Sequence, residues 1–515
     1  MLFASVISLS CLLLAQRSHT QECASPAPTI ELPIANVTIG SAFSNSVRRG
    51  LGLGVGNPPQ TVVAAINADW NNSFFWRSDQ CKGNSEYDRC SWFHGGDLNA
   101  EDSKSWVPTK TSGKYDFRNA DGLEFVTSPW GEDAFTLTPD TTVESVPVYS
   151  VVDGDPPQNS LGFGRASSFL DALVAQKKIA TRTWSLFWGW EGMEDSQKME
   201  GNFVLGGYDK AKTKGENFTT GFSDTKVCSS GLAINLKKIH ITTWYGAETG
   251  IFDSSGSTLS VCIRPDLPSI SLPQTIFDGF KGSLPGKYLG PTRELNNNAI
   301  LVDAYDVFRG NLTFTLESGL AITVPNHQLV RPNIEISSHG QQTIANDSRV
   351  IPVRPLGPDN APYLGQAFLS AVYLHVNNDR KQFSIWEAEA TEQKDIVGIS
   401  EDSCGGNDEP ATKPATPKKT STKPSGGAIA GIVIGVLAAI ALVGLALFFL
   451  VRRRQPNDRS QRDDSHARAL IHPEPHRMAE LDDTGSPISS YANAKELPSP
   501  QEPAQRYELP VKEYR

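Results

Sequence analysis

The sequence predicts a largely all-β protein that is held in a membrane by one helix, and two observations support this prediction. Between residue 30 and about residue 390, short runs of β-branched and aromatic residues alternate with Gly, Pro, Asn and Asp, a pattern typical of short strands separated by turns. Residues 426–451 are uncharged and are followed directly by three arginines, the pattern of a transmembrane helix with a cytosolic end. A chain of 515 residues is too long for one core, so we expect two or more domains.

The first half of the chain predicts a signal peptide and then β lobes. Residues 1–20 contain a short apolar stretch followed by polar residues, which predicts a signal peptide, although the usual basic start is missing. A non-cleaved anchor is the alternative. We expect two β lobes, at residues 30–205 and 206–395. Within the first lobe, residues 168–179 are apolar at helical spacing behind a serine cap, which predicts one helix.

The C-terminal part predicts a stalk, a membrane span and a tail. Residues 396–425 are rich in Pro, Thr and Lys and cannot bury enough apolar surface to fold, so we expect an extended stalk. Residues 452–515 are polar and Pro-rich, which predicts a disordered cytosolic tail. The whole arrangement is that of a type I membrane protein at the plasma membrane or cell surface.

The predicted span, residues 426–451, carries small residues at every fourth position, a spacing that lets two helices approach closely. These residues are Gly427, Gly431 and Gly435. The spacing is compatible with a homodimer and with a simple anchor, and the sequence leaves both open.

The cysteines indicate disulfides rather than a metal site. Of the 7 cysteines, one lies in the signal peptide, and the remaining even number in an oxidising compartment shows no Cys-x-x-Cys pair. Cys81 and Cys90 close a short loop and are predicted to pair. Two further pairs are assigned only by elimination: Cys228 with Cys262, and Cys23 with Cys404.

The sequence predicts a glycosylated surface and no nucleic-acid partner. A net charge of −10 argues against a nucleic-acid partner, and no pattern indicates a cofactor or a metal. Glycosylation is predicted at five Asn-x-Ser/Thr sequons: Asn36, Asn71, Asn217, Asn311 and Asn346.

Several blocks, in the right order along the chain, resemble the pepsin-like aspartic peptidases. Residues 55–76 are similar to the first active-site segment of that family, and residues 159–164 to its G-I/L-L-G-L-G block. Residues 201–209 resemble its G-x-L-x-L-G-G-x-D block, and residues 363–369 its I-L-G-x-x-F-L block. The resemblance implies a bilobal β fold with a substrate cleft between the lobes. The overall plan is similar to that of fungal cell-surface members.

The resemblance also implies where two catalytic aspartates should stand, and both positions are altered. The family's chemistry needs two carboxylates that share one proton. In the first segment Asn67 replaces the aspartate, and no glycine follows it. For the second segment two frames compete: one places Asp253 at the catalytic position, and the other places Arg264 there. The second is preferred because it needs no insertion before Leu272.

We therefore predict a catalytically inactive homologue whose cleft binds a peptide, a glycan or a surface protein. The alternative is an active surface aspartic endopeptidase that uses Asp253 with Asp69, and a third reading is an adhesive or structural role. One hypothesis is that Arg264 forms an ion pair with Asp69 or Asp266 that closes the former site. Aromatic residues that follow Asn67 either line the cleft or belong to the core of the lobe: Trp70, Phe74, Phe75 and Trp76.

Overall fold

The computed structural model describes residues 27–40, 46–82, 86–109, 130–151, 158–224, 228–292, 298–357 and 361–400. The predicted signal peptide, membrane span, tail and glycine spacing lie outside these residues, as do Cys23, Cys404 and nearly all of the stalk. Within the described part of the chain, no helix is long and apolar enough to cross a membrane.

The structure is mostly β, as the sequence predicts. Residues up to 205 contain β1 (Ile30–Thr38), β2 (Val47–Val55), β3 (Gln60–Asn67), β4 (Ser73–Trp76), β5 (Val107–Pro108), β6 (Trp130–Thr138), β7 (Thr141–Val151), β8 (Ser160–Gly162), β9 (Thr183–Phe187), β10 (Trp190–Glu191), β11 (Lys198–Met199) and β12 (Gly201–Leu205).

The second half adds β13 (Gly207–Asp209), β14 (Thr213–Gly221), β15 (Ala233–Thr243), β16 (Glu248–Asp253), β17 (Leu259–Ile263), β18 (Ile270–Leu272), β19 (Tyr288–Pro291), β20 (Ile300–Asp303), β21 (Gly310–Leu316), β22 (Ala321–Val324), β23 (Arg331–Ile336), β24 (Gln342–Ile351), β25 (Val353–Pro355), β26 (Tyr363–Leu364), β27 (Val372–Asn377), β28 (Gln382–Ala388) and β29 (Ile396–Gly398).

Helices are short and lie between the strands. They are the α-helices Tyr87–His94, Ser168–Ala175, Gln274–Gly282, Asn326–Leu329 and Gln366–Leu369, and the 3₁₀ turns Ala100–Asp102, Asp195–Gln197 and Lys210–Lys212.

The predicted helix at residues 168–179 forms, but it ends earlier, at Ala175. Its cap is Ser167, whose hydroxyl accepts a hydrogen bond from the Leu170 N–H at 3.1 Å. The helix stops because Lys177 adopts a left-handed φ of 56°, and the N–H of Lys178 then bonds back to the Leu173 carbonyl. Apolar spacing alone does not reveal this stop.

The two halves repeat one strand arrangement. In the first half the order is β3-β8-β4-β7, with β3 parallel to β8, β8 antiparallel to β4 and β4 parallel to β7. In the second half the order is β17-β26-β18-β25, with the same sequence of parallel, antiparallel and parallel pairings. The repeat accounts for the two-lobed plan expected from the resemblance.

The lobes share a sheet as well as a core. A 13-stranded sheet contains the strands of the first half up to β9 and β12 and continues through β27, β28 and β14 of the second half. A single cluster of buried aliphatic and aromatic side chains extends through both halves. The boundary at 205/206 therefore divides the chain in sequence without separating two independent sheets.

The predicted start of the stalk, at residue 396, is wrong by a few residues. The strand Ile396–Gly398 pairs with β13, and Tyr208 stands opposite Val397. Its two apolar residues can pack on the folded part, whereas the Pro- and Lys-rich composition begins only after residue 400.

Candidate functional site

Two loops at the junction of the lobes carry the predicted dyad positions. Asn67 is the last residue of β3 and stands opposite Gly162 of β8. Arg264 follows β17, whose last residue, Ile263, stands opposite Leu364, so that Arg264 is placed beside Gly365. The two positions are therefore equivalent in the repeated strand arrangement.

The spacing after each position is also the same. The strand β4 begins at Ser73 and β18 begins at Ile270, so each starts six residues after its loop position. Asp253 instead ends β16, where it is exposed and paired with Lys238 on β15. The geometry therefore favours the frame that contains Arg264.

Each of the two loops packs against a glycine of the neighbouring chain segment, at a place where a side chain would not fit. A Cβ atom at Gly162 would lie 2.5 Å from the carbonyl oxygen of Asn72, which is closer than real Cβ contacts. A Cβ atom at Gly365 would collide with the carbonyl oxygens of Leu267 and Ser269. The G-containing blocks recognised in the sequence thus serve to pack the two loops.

The Asn67 side chain is used to build its own loop. Its Oδ1 accepts hydrogen bonds from the N–H groups of Asp69 and Trp70, at 3.0 and 3.1 Å. This is the local turn that Asn and Asp side chains commonly form. The residue is 3% exposed, and an amide cannot accept a proton from water as a general base would.

Asp69 is the negatively charged residue of this loop, and its carboxylate contacts residues of the second lobe. Its side chain is 1% exposed. One carboxylate oxygen, Oδ1, accepts hydrogen bonds from the Ser229 hydroxyl at 2.7 Å and the Ser230 N–H at 2.8 Å. The other oxygen, Oδ2, lies 2.7 Å from Nε of Arg264 in an ion pair without hydrogen-bond alignment.

Arg264 is held by a second carboxylate within its own loop. Asp266 accepts from Nε at 3.1 Å and from Nη2 at 2.9 Å. The guanidinium therefore lies between Asp69 and Asp266, and each of these aspartates follows its dyad position by two residues. The ion pair that the sequence analysis put forward as a hypothesis is present, with both candidate partners rather than one.

This arrangement does not resemble an acid–base pair chemically. Two carboxylates can share a proton only if no permanent cation neutralises them, and an arginine side chain remains charged at every relevant pH. Asp253 cannot complete a pair with Asp69 in this geometry, because it is exposed on β16 while the Asp69 oxygens are occupied by Ser229, Ser230 and Arg264.

The aromatic residues after Asn67 belong to the core. They are buried in a cluster in which the Trp70 and Phe74 rings lie 4.5 Å apart and the Phe74 and Tyr149 rings 5.1 Å apart. The cluster consists of Trp70, Phe74, Trp76, Trp130 and Tyr149, whereas Phe75 packs in the main core.

Two of the predicted disulfides are formed, Cys81–Cys90 and Cys228–Cys262. The second one fixes the start of the segment that supplies Ser229 and Ser230 to Asp69. His94 approaches Cys81 Sγ at 3.5 Å, but both cysteines of this group are oxidised and offer no thiolate to a metal. The predicted absence of a metal or cofactor stays a prediction.

The glycosylation sequons occupy different settings. Asn36 and Asn346 are exposed on strands, where a glycan would meet solvent. Three are partly buried, with the side-chain oxygens of Asn71 and Asn311 accepting backbone N–H groups from Ala166 and Asn326, and Asn217 bonded to Thr219. Glycosylation itself stays a prediction.

Ser229 and Ser230 are not predictable as site residues from the sequence. They lie about 160 residues from Asp69 along the chain, and only the folded structure brings them together. One signal was available: an aspartate stands two residues after each dyad position, in Asn67-Ala68-Asp69 and in Arg264-Pro265-Asp266.

Comparison with known proteins supports a pepsin-like aspartyl protease domain. Residues 157–388 match the family model described as Eukaryotic aspartyl protease. The chain is also similar to Candidapepsin-2 of Candida parapsilosis, with 28% identity over 211 residues that make up 39% of this chain and 46% of that protein. The match thus spans less than half the length of this relative. The family-model match includes Arg264 and begins after Asn67.

Proposed function

We propose that this domain is a catalytically inactive homologue of the aspartic peptidases, and that its cleft binds a ligand without hydrolysing it. The observation that carries the proposal is the contact between Asp69 and Arg264 at 2.7 Å across the two loops. An arginine and an asparagine occupy the equivalent loop positions, where the reaction needs a carboxylic acid and a carboxylate.

Several contacts join the two lobes around Asp69 and Arg264. The pair of Asp69 and Arg264 is one of these contacts. Another comes from Arg165 of the first lobe, which donates to Asp224 at 2.8 Å and to the Ser230 carbonyl at 3.2 Å. At the centre of this interface, Arg264 lies between two carboxylates of opposite charge to its own, those of Asp69 and Asp266. A bound peptide, glycan or surface protein would therefore meet charged side chains that are already paired with one another.

The test is hydrolysis of denatured serum albumin by the purified full-length protein between about pH 3 and 6, with and without pepstatin. We expect that the purified protein, when it is folded, does not cleave the albumin. Cleavage that pepstatin blocks and that Asp69→Asn or Asp253→Asn abolishes would overturn the proposal, and would establish the alternative function of an active aspartic endopeptidase. That alternative is favoured by the names of the matched proteins, which are those of proteases.

We further propose that residues 426–451 anchor this domain at the cell surface with the C-terminus in the cytosol. The support is the uncharged span followed by Arg452, Arg453 and Arg454. An epitope inserted after residue 21 should be accessible to antibody on intact cells, and one after Arg515 only after permeabilisation. The reverse pattern, or release of the whole protein into the medium, would contradict this topology.

A further inference from the structure

The hairpin of β15 and β16 carries an exposed aromatic pair at its turn. Trp244 is 76% exposed and Tyr245 is 67% exposed. Among the described large apolar side chains only Tyr305 is more exposed, at 89%. The rings of Trp244 and Tyr245 lie 5.4 Å apart in an edge-to-face arrangement. The two rings therefore form one small apolar surface that faces solvent.

The backbone alone closes this turn. Gly246 adopts a left-handed φ of 85°, and its N–H donates to the Thr243 carbonyl at 3.0 Å. The Thr243 N–H donates to the Ala247 carbonyl at 2.9 Å, and the Trp244 N–H donates to the Arg309 carbonyl at 2.9 Å. None of these bonds involves an aromatic ring. The rings of Trp244 and Tyr245 are therefore available for a contact outside the domain.

The size and chemistry of this surface favour a lipid bilayer over a protein partner. A tryptophan or tyrosine side chain buries about 150–250 Å², so the two together bury at most about 500 Å². A stable protein–protein interface buries about 800 Å² on each partner. Tryptophan and tyrosine are the residues that gather at membrane–water interfaces, because the ring is apolar and its N–H or O–H group stays in contact with water.

The charge of the chain favours a neutral lipid surface. Residues 241–247 contain no charged side chain. The exposed residue Arg309, whose carbonyl accepts from the Trp244 N–H, adds one positive charge beside the turn. The net charge of the chain is −10, which anionic lipids would repel. A contact with lipid would therefore depend on burial of the rings and not on attraction between opposite charges.

We propose that Trp244 and Tyr245 dock the domain on the surface of the membrane that anchors the chain. This inference rests on the membrane anchor proposed above, and it does not depend on whether the cleft hydrolyses peptides. The described part of the domain ends at residue 400, and residues 401–425, which precede the proposed span, can reach at most about 90 Å. The anchor thus keeps the hairpin at a high effective concentration near lipid, so two rings suffice for docking.

The experiment is fluorescence quenching of the full-length protein in phosphatidylcholine vesicles whose acyl chains are brominated near the headgroup. Bromine-free vesicles are the reference. All 10 tryptophans lie between residues 70 and 386, so none belongs to the proposed span or tail. We expect bromine to quench about a tenth of the emission, the share of one tryptophan, and we expect Trp244→Phe to abolish this quenching.

A charged substitution tests the docking surface while Trp244 remains as the reporter. Tyr245→Asp places a carboxylate where the surface meets lipid, so it should reduce the quenching at least about threefold. The matched control is Val107→Asp. Val107 is a 57% exposed apolar residue on β5 of the first lobe, and the same change of charge there should leave the quenching unchanged.

Flotation of the same vesicles on a density gradient separates failure of the anchor from failure of docking. Protein that does not float with the vesicles would refute the anchor and this inference with it. Protein that floats without being quenched, or whose quenching persists after Trp244→Phe or falls equally with Tyr245→Asp and Val107→Asp, would overturn the docking inference alone. A blue shift of the Trp244 emission that grows with protein concentration in bromine-free vesicles would identify a contact between copies of the chain instead.

Discussion

The contact between Arg264 and Asp69 can be tested by its contribution to stability. Replacing Arg264 by methionine keeps an unbranched apolar side chain but leaves the Asp69 carboxylate, which is 1% exposed, without its cation. Breaking a buried ion pair by removing one partner costs about 3–5 kcal/mol. Because the Arg264 side chain is 25% exposed, we expect the lower end, about 3 kcal/mol of unfolding free energy at pH 7.

Arg77 offers a matched control for this substitution. It binds Asp79, two residues further on, through Nε at 3.2 Å and Nη2 at 2.7 Å, the same local geometry that joins Arg264 to Asp266. The pair between Arg77 and Asp79 is exposed, and among the described residues Arg77 has no second carboxylate partner comparable to Asp69. Arg77→Met should therefore cost less than about 1 kcal/mol.

The assay is urea unfolding of the purified full-length protein, followed by fluorescence, with the slope of the transition compared between variants. A double-mutant cycle with Asp69→Asn isolates the interlobe contact and should give a coupling energy of about 2 kcal/mol. If Arg264→Met costs no more than Arg77→Met, or if the two changes are additive, the contact does not hold the lobes together.

Three further predictions concern other parts of the domain. Burial alone would raise the pKa of Glu191, but the positive charges of Arg331 at 2.9 Å and of Arg49 outweigh burial, so the pKa is lowered. Glu191→Gln should therefore destabilise the folded protein by about 1–2 kcal/mol near pH 7. In urea titrations this difference should shrink as the pH falls through the lowered pKa; a constant difference would contradict it. Burial lowers the pKa of His375 to about 3. Between about pH 6 and 4 the unfolding free energy should therefore fall by about 1.4 kcal/mol per pH unit relative to that of His375→Leu. Parallel pH profiles of the two proteins would contradict this. Replacing Cys81 and Cys90 by serine should cost about 2–3 kcal/mol in thermal unfolding, because the unfolded chain is then no longer constrained by the closed loop; an unchanged melting temperature would contradict this.

The fold was predictable because its signals are local. Strand patterning and the glycine-containing blocks depend on neighbouring residues, and the Cys81–Cys90 loop is short enough to be read from spacing. The end of the helix at Ala175 was not predictable, because it depends on the left-handed backbone of Lys177. The stalk boundary was misplaced because Ile396–Gly398 is too short a strand to show a period.

The candidate site was only partly predictable, because its decisive contacts are distant in sequence. The segment at Asp253 looks locally like a catalytic motif, so the sequence left two frames open and preferred Arg264 only from its spacing to Leu272. The pairing of β17 with β26 adds that Arg264 has the position equivalent to Asn67. Ser229 and Ser230 carry no motif at all. They directly follow Cys228, whose disulfide with Cys262 fixes the start of the segment that contacts Asp69.

The equivalent aspartates after the two dyad positions explain how the lobe junction can stay polar in the proposed inactive homologue. A catalytic dyad places like charges together and needs a shared proton to relieve their repulsion. Here Asp69 and Asp266 face each other across Arg264, which relieves the repulsion permanently. Apolar residues would serve stability equally well, since buried ion pairs seldom exceed a well-packed core in stabilisation. A charged contact adds orientation, because Arg264 meets Asp69 of the first lobe only when the lobes are correctly aligned.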